Sequence, residues 1–171
     1  MREILFVNWP IEITIMNTLR DKLIDLNINA SNTVIIAVST DYSSVIAQYL
    51  RHQLSHDGEI CAGFGVDVPS PDQEFDDDFV NAFLATFYLN LIHIKDKKVL
   101  LVEAGVIRGG NYTKIVELIK ENLKLTNEIL TLTLYENYGS KFKSDFVGRY
   151  YDDTKADLTF WWEKPNNHWP S

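Results

Sequence analysis

Hydrophobic residues follow two different patterns along this chain. Short continuous apolar runs are typical of strands that are buried on both faces of a sheet. Apolar residues three and four positions apart indicate one face of a helix instead. The strands predicted from continuous runs are 33–38 (TVIIAV), 99–102 (VLLV) and 129–135 (ILTLTLY). The helices predicted from helical spacing are 10–26, 45–54 and 112–124.

The alternation of strand and helix predicts an α/β fold, with a mostly parallel, Rossmann-like sheet flanked by helices. Further strands are expected at 59–68 and near the C-terminus, while residues 4–7 fit either a short strand or the lead-in to the first helix. We see no internal repeat and no low-complexity linker, so we expect a single domain over residues 1–171. In such folds the ligand pocket lies at the carboxyl ends of the strands.

The stretch with the clearest chemistry follows the predicted strand 99–102. Glu103 lies where that strand ends, placed to meet a sugar hydroxyl or a metal ion. Gly105, Gly109 and Gly110 then mark a loop, after which a helix begins. Because the N-terminus of a helix exposes backbone N–H groups, this strand, loop and helix together form a candidate anion site. The same arrangement also occurs in α/β proteins as a plain connection.

A strongly apolar segment at 79–92 follows three consecutive aspartates and is too short to span a bilayer. It is either a buried helix or a helix with one side in a subunit interface, and we favour a helix that packs on the sheet and contributes to a homodimer.

Composition and charge narrow the classes of partner and compartment. The net charge of −8 and the pI near 4.9 argue against a nucleic acid or a polyanionic surface as partner. The single cysteine, Cys61, fits a reducing compartment. The N-terminal residues lack an apolar run of signal length, and we found no segment of bilayer length. We therefore expect a cytoplasmic protein without a membrane span.

Residues 99–116 resemble the phosphoribosyl-diphosphate motif of the type I phosphoribosyltransferases, which is an apolar run, two acids, an apolar pair and Thr-Gly-any-Thr. Glu103 is the first acid here, and Ala104 replaces the second. Arg108 and Asn111 replace the two threonines around Gly109. The resemblance implies that Glu103 meets the ribose and a metal. It also implies that a loop wraps the 5′-phosphate, and its members are Arg108, Gly109, Gly110, Asn111 and Tyr112.

The loop after strand 33–38 corresponds to the pyrophosphate loop of that family. Thr40, Asp41 and Tyr42 stand where the family typically has a basic residue and a glycine pair. An Asp carboxylate repels pyrophosphate unless a cation lies between them. The residues alone favour a different interpretation, in which Asp41 or Ser43 caps the following helix.

Two further positions are suggested by the resemblance to purine enzymes. The segment 145–152 (DFVGRYYD) resembles their pattern Phe-Val-Gly, three residues, Asp, which implies a catalytic and metal-binding role for Asp152. Glu136 stands where these enzymes have a lysine that contacts the base. Lys141 or Lys143 could substitute for that lysine, although an ordinary surface position is the alternative for both.

The C-terminal segment resembles the family's closing strand, which runs into Pro-Trp-Glu or Pro-Trp-Asp. Trp162 and Glu163 match that ending, and Trp161 replaces the proline. The two tryptophans could form a stacking surface for a flat base. Alternatively, they alternate across a last strand, one inward and one outward.

Taken together, the resemblance implies an enzyme that transfers a 5-phosphoribosyl group from phosphoribosyl diphosphate to a purine-type nucleobase with Mg²⁺. The replaced ligand positions leave an alternative open. In it, the chain is a catalytically degenerate module of the same fold that binds a nucleotide or a protein partner in a regulatory or effector role. A third hypothesis is an enzyme that hydrolyses pyrophosphate or phosphate groups. The sequence does not select a base.

Overall fold

A computed structural model of the chain describes residues 3–39, 42–56, 58–69, 75–123 and 128–160. Its centre is a five-stranded, entirely parallel sheet in the order β3-β2-β4-β5-β6. These strands are β2 (Thr33–Val38), β3 (Ala62–Val66), β4 (Lys98–Val106), β5 (Ile129–Asn137) and β6 (Phe146–Tyr151). The predicted α/β fold with a parallel sheet is confirmed.

Helices cover both faces of this sheet because its central strands are apolar on both sides. The helices are α1 (Trp9–Asp25), α2 (Tyr42–Leu54), α3 (Asp77–Leu89), α4 (Leu91–Ile94) and α5 (Gly110–Leu123). Leu100 and Val102 of β4 pack with α1 and α2, whereas Val99 and Leu101 pack with α3, α4 and α5. All six residues of β2 are buried, as expected of a strand between two helical layers.

A second, two-stranded sheet joins the two ends of the described chain. β1 (Glu3–Val7) pairs in parallel with β7 (Ala156–Phe160), with Glu3 opposite Ala156 and Val7 opposite Phe160. Residues 4–7 are therefore a strand, and α1 begins two residues later with Asn8 as its N-cap.

Four parts of the chain differ from the pattern-based expectations. β4 and β5 continue past their apolar runs, so that Gly105 lies inside β4 opposite Tyr135 and Glu136 lies inside β5. The apolar segment 79–92 is divided between α3 and α4, because Asn90 ends α3 and begins α4. β6 carries a mixed pattern of buried and exposed residues that gave no strand signal.

Within the described part of the chain, no helix is both long enough and apolar enough to cross a membrane.

Candidate functional site

The parallel sheet gathers the candidate residues at one edge. Since all five strands run in the same direction, the ends of β2, β4 and β5 meet there. The segments that leave this edge are the loop before α2, the loop 107–109 before α5 and the loop 138–145 before β6.

Glu103 lies on β4 at this edge, and its half-buried carboxylate is held by two donors. The Ser43 hydroxyl donates to Glu103 Oε1 at 3.1 Å, and the Ala104 N–H donates to the same oxygen at 3.1 Å. The Ala104 N–H also points at Ser43 Oγ, at 3.1 Å. Ser43 belongs to the first turn of α2, so this contact joins α2 to the second half of β4.

The loop 107–109 turns sharply before α5. Gly109 has a φ of +80°, a conformation that glycine adopts without strain. Two hydrogen bonds from the neighbouring segment fix it: the Asn137 side chain, at the end of β5, donates to the Ile107 carbonyl at 3.2 Å, and the Lys141 N–H donates to the Arg108 carbonyl at 3.3 Å. The turn therefore depends on the end of β5 and on the loop that follows it.

The N-terminus of α5 opens at the same edge, where the Arg108 side chain is exposed. The first N–H groups of a helix have no partner within it, so those of Gly110, Asn111 and Tyr112 are candidate donors to an anion at this end. The side chains of two of these residues have other partners: Asn111 donates to the Pro69 carbonyl at 3.1 Å, and the Tyr112 hydroxyl donates to the Leu101 carbonyl at 2.8 Å. A bound anion would therefore meet backbone N–H groups and the Arg108 guanidinium.

Tyr112 connects α5 to the sheet beneath the candidate anion site. Its ring is buried, and its hydroxyl also reaches the Leu132 carbonyl at 3.2 Å. Burial raises the pKa of the Tyr112 hydroxyl well above its usual value, and the nearby Glu103 carboxylate raises it further. The hydroxyl therefore stays protonated as a fixed donor to the two strands.

The position that resembles the base-contacting lysine is a buried carboxylate. Glu136 is fully buried, accepts a hydrogen bond from the Ser144 N–H at 2.9 Å and forms an ion pair with Lys143 at 3.4 Å. Lys141 is exposed, and its backbone N–H bonds to the Arg108 carbonyl. Of the two lysines, Lys143 is therefore the one that pairs with Glu136.

Asp152 follows β6, and its carboxylate already has partners. It accepts from the Thr154 N–H at 3.0 Å and the Thr154 hydroxyl at 2.5 Å, and it pairs with Lys155 at 2.8 Å. The Lys155 ammonium and these hydrogen bonds lower the pKa of Asp152 to about 2.

The strand register also separates Asp152 from Glu103. Glu103 aligns with Thr133 of β5, and Thr133 aligns with Val147 of β6. Asp152 lies roughly 16 Å beyond the level of Val147, at about 3.3 Å per residue. The structure therefore does not bring the two carboxylates side by side.

A magnesium ion at this edge of the sheet would have few protein ligands. Among the residues that the structure describes, no group of three or more His, Cys, Asp or Glu side chains could hold a metal. Mg²⁺ commonly binds through one or two carboxylates, with substrate phosphates and water completing its shell. The donor set at this edge fits that mode, with Glu103 as the protein carboxylate and the substrate as the main source of oxygen.

Four of the predicted site residues lie outside the described residues: Thr40, Asp41, Trp161 and Trp162. Tyr42, the third member of the predicted pyrophosphate loop, is the first residue of α2 and is buried. Its hydroxyl is hydrogen-bonded to the carboxylate of Glu12, which is also fully buried on α1. Its side chain therefore anchors the helix start.

Several residues at this edge gave no interpretable sequence signal. Tyr138 and Tyr150 stack with centroids 5.2 Å apart and planes 16° from parallel, and Tyr138 is 66% exposed. Asn137 ties β5 to the loop 107–109. Ser43 could be found only as a possible helix cap, because its contact with Glu103 spans 60 positions.

Comparisons with known proteins give no match in sequence and clear matches in structure. No family model matches the chain, and no curated protein matches its sequence. A purine phosphoribosyltransferase from Pyrococcus horikoshii superposes with a TM-score of 0.67 over 96% of both chains, at 21% identity. A Helicobacter pylori xanthine-guanine-hypoxanthine phosphoribosyltransferase gives 0.60 over 92% of both chains, at 12% identity.

A third similar structure is the hypoxanthine-guanine phosphoribosyltransferase of Schistosoma mansoni in complex with IMP. It gives a TM-score of 0.52 at 13% identity, over 82% of this chain and 64% of the other. At these identities the similarity establishes architecture. The chain has a fold like that of the type I phosphoribosyltransferases.

Proposed function

We propose that the chain transfers a 5-phosphoribosyl group from phosphoribosyl diphosphate to a purine-type nucleobase, with Mg²⁺. The observation that carries this proposal is the pairing of an oriented carboxylate, Glu103, with the open N-terminus of α5 at the same edge of the sheet. The sequence resemblance and the structural neighbours support it, since those proteins are purine phosphoribosyltransferases by name.

In this proposal each end of the phosphoribosyl group has its own protein partners. The N–H groups of Gly110, Asn111 and Tyr112, with the Arg108 guanidinium, bind the 5′-phosphate. Glu103 accepts hydrogen bonds from ribose hydroxyls. When the sugar C1–O bond to pyrophosphate breaks, positive charge develops on the ring, and the nearby carboxylate stabilises it. Bound Mg²⁺ would supply charge neutralisation for the departing pyrophosphate.

The roles of the remaining predicted residues follow from their positions. Thr40, Asp41 and Tyr42 are proposed as the pyrophosphate loop, with Tyr42 acting as its anchor. Trp161, Trp162 and Lys141 are proposed for the base, and the exposed Tyr138–Tyr150 pair, with Lys143 beside the Tyr150 ring, offers a second flat surface. The Asp152 carboxylate is already paired with Lys155 and hydrogen-bonded to Thr154. We therefore assign metal binding to Glu103.

A second candidate function is a degenerate module of the same fold that binds a nucleotide without turnover. The ion pair of the buried Glu136 with the exposed Lys143 favours it, since a carboxylate that is already paired stands where a cation would contact the base. Ala104 stands in place of the second acid and also favours the degenerate module, because one ribose contact is missing.

A thermal unfolding assay with Mg²⁺ and phosphoribosyl diphosphate tests the proposal. Ligand at 100-fold above its Kd stabilises the folded state by about 2.7 kcal/mol, which corresponds to roughly 5–10 °C in Tm for a chain of this size. Glu103→Gln should lose most of that shift, whereas Glu117→Gln, an exposed position on α5, should retain it.

Turnover with a panel of purine bases then separates the two candidates. A Tm shift with base-dependent release of pyrophosphate supports the transferase. A Tm shift without turnover supports the degenerate module. An unmoved Tm at millimolar phosphoribosyl diphosphate would contradict the transferase.

We also propose that two copies of the chain associate through the exposed side of α3 and α4. Leu89 and Ile92 are 83% and 82% exposed there, beside the half-exposed Tyr88. Adjacent exposed apolar side chains of this size mark interaction surfaces in folded proteins. Light scattering should give twice the 19.7 kDa chain mass, and Leu89→Asp should halve it. Leu26→Asp, at an exposed apolar position after α1, is the control that should leave the mass unchanged.

A further inference from the structure

One buried hydroxyl connects the first turn of α2 with the second half of β4. Ser43 is fully buried, and its Oγ lies 3.1 Å from Glu103 Oε1 and 3.1 Å from the Ala104 nitrogen. A hydroxyl has a single proton to donate. Because the Ala104 N–H already points at Ser43 Oγ, the Ser43 proton is directed to the carboxylate. Glu103 Oε1 is therefore held by a side chain from another element as well as by the Ala104 N–H.

The turn that carries Ser43 is fixed from its other side. Tyr42, the preceding residue, is hydrogen-bonded through its hydroxyl to the buried carboxylate of Glu12 on α1. Glu12 of α1 thus holds Tyr42, and the next residue of α2, Ser43, holds Glu103. The position of the Glu103 carboxylate therefore depends on both α1 and α2.

We propose that Ser43 is a positioning residue that orients the Glu103 carboxylate toward the ribose hydroxyls. This inference rests on the function proposed above for Glu103. Without the hydroxyl, Glu103 Oε1 loses the donor that Ser43 supplies, and the carboxylate gains rotational freedom. Binding a sugar must then order it again, which costs affinity.

The predicted effect is selective for one end of the ligand. Ser43 contacts Glu103 and Ala104, and its described contacts do not include Arg108 or the first turn of α5. The groups proposed to bind the phosphate should therefore be unaffected by loss of the Ser43 hydroxyl. A merely structural role would instead weaken binding of sugar and phosphate alike.

Calorimetric titration of two probes measures this selectivity. Ser43→Ala should weaken binding of ribose 5-phosphate on the order of tenfold and leave the affinity for inorganic phosphate unchanged. Ser44→Ala is the matched control, because Ser44 faces a cavity beside Arg51 and Gly63. It should leave both affinities as in the wild type. Equal affinities of Ser43→Ala and wild type for ribose 5-phosphate, or equal weakening of both probes, would overturn the inference.

A second measurement decides the inference even if the chain binds neither probe, which would overturn the proposed function. Urea unfolding of Ser43→Ala, Glu103→Ala and the double variant forms a double-mutant cycle. If Ser43 holds Glu103, the second substitution shifts the urea midpoint less once the first is present. Additive shifts would show that the hydroxyl does not hold the carboxylate.

Discussion

At the scale of single residues, Gly109 sets the path of the loop on which the proposed phosphate site depends. A Cβ built at Gly109 would lie 2.3 Å from Phe142 Cβ and 2.9 Å from the Phe142 nitrogen, and its φ of +80° adds strain. Gly109→Ala should therefore cost about 1–3 kcal/mol of unfolding free energy, measured by urea denaturation.

The adjacent Gly110 is the matched control. A Cβ there would meet no atom within 4 Å, and the residue begins α5. Gly110→Ala should leave stability within about 1 kcal/mol of wild type, on the stabilising side, because alanine reduces the entropy of the unfolded chain. Equal losses at both positions would contradict the described loop.

Asp152 provides a pH-dependent test at the same scale. Its folded pKa is lowered to about 2 from an ordinary 3.8, mainly by Lys155. A lowered carboxylate pKa adds stability above the unfolded pKa, and that stability is lost as pH falls through the folded pKa. The urea midpoint of wild type should exceed that of Asp152→Asn at pH 7, and the difference should vanish between about pH 4 and pH 2. A difference that persists unchanged at pH 2 would show that Asp152 is not stabilised as a carboxylate.

At the scale of elements, the start of α3 explains the acidic run before the apolar segment. Asp76 is the N-cap, and its carboxylate accepts from the Phe79 N–H at 2.8 Å. Asp76→Ala should cost about 1 kcal/mol of unfolding free energy, because this N–H loses its partner. Asp76→Asn keeps an acceptor oxygen and should cost only a fraction of that. Similar losses in the two variants would indicate that charge, rather than capping, matters here.

The strands that could be predicted from the sequence are those whose burial is continuous. β2 was predicted with its exact bounds, since all six of its residues are buried. β6 lacks such a run, because it lies at the sheet edge and exposes Arg149 and Tyr150. The pairing of β1 with β7 joins opposite ends of the chain, and local periodicity contains no information about that partner.

At the scale of the whole molecule, the alternation of strands and helices was enough to predict that β2, β4 and β5 end at one edge of a parallel sheet. It also brought Glu103 and the start of α5 to that edge as predicted from the sequence. The contacts that orient them could not be predicted, because Ser43 with Glu103 and Tyr42 with Glu12 are distant in sequence. The roles assigned to Trp161 and Trp162 remain predictions, since these residues lie outside the described part of the chain.

The central claim is that this edge of the sheet binds a 5-phosphorylated ribose. Calorimetric titration with ribose 5-phosphate tests it most directly, using wild type, Arg108→Ala and the exposed α5 control Lys120→Ala. We predict saturable binding to wild type and Lys120→Ala, and binding at least about tenfold weaker to Arg108→Ala, since charge-assisted contacts to phosphate are strong. No heat of binding to wild type, or unchanged affinity in Arg108→Ala, would contradict the account.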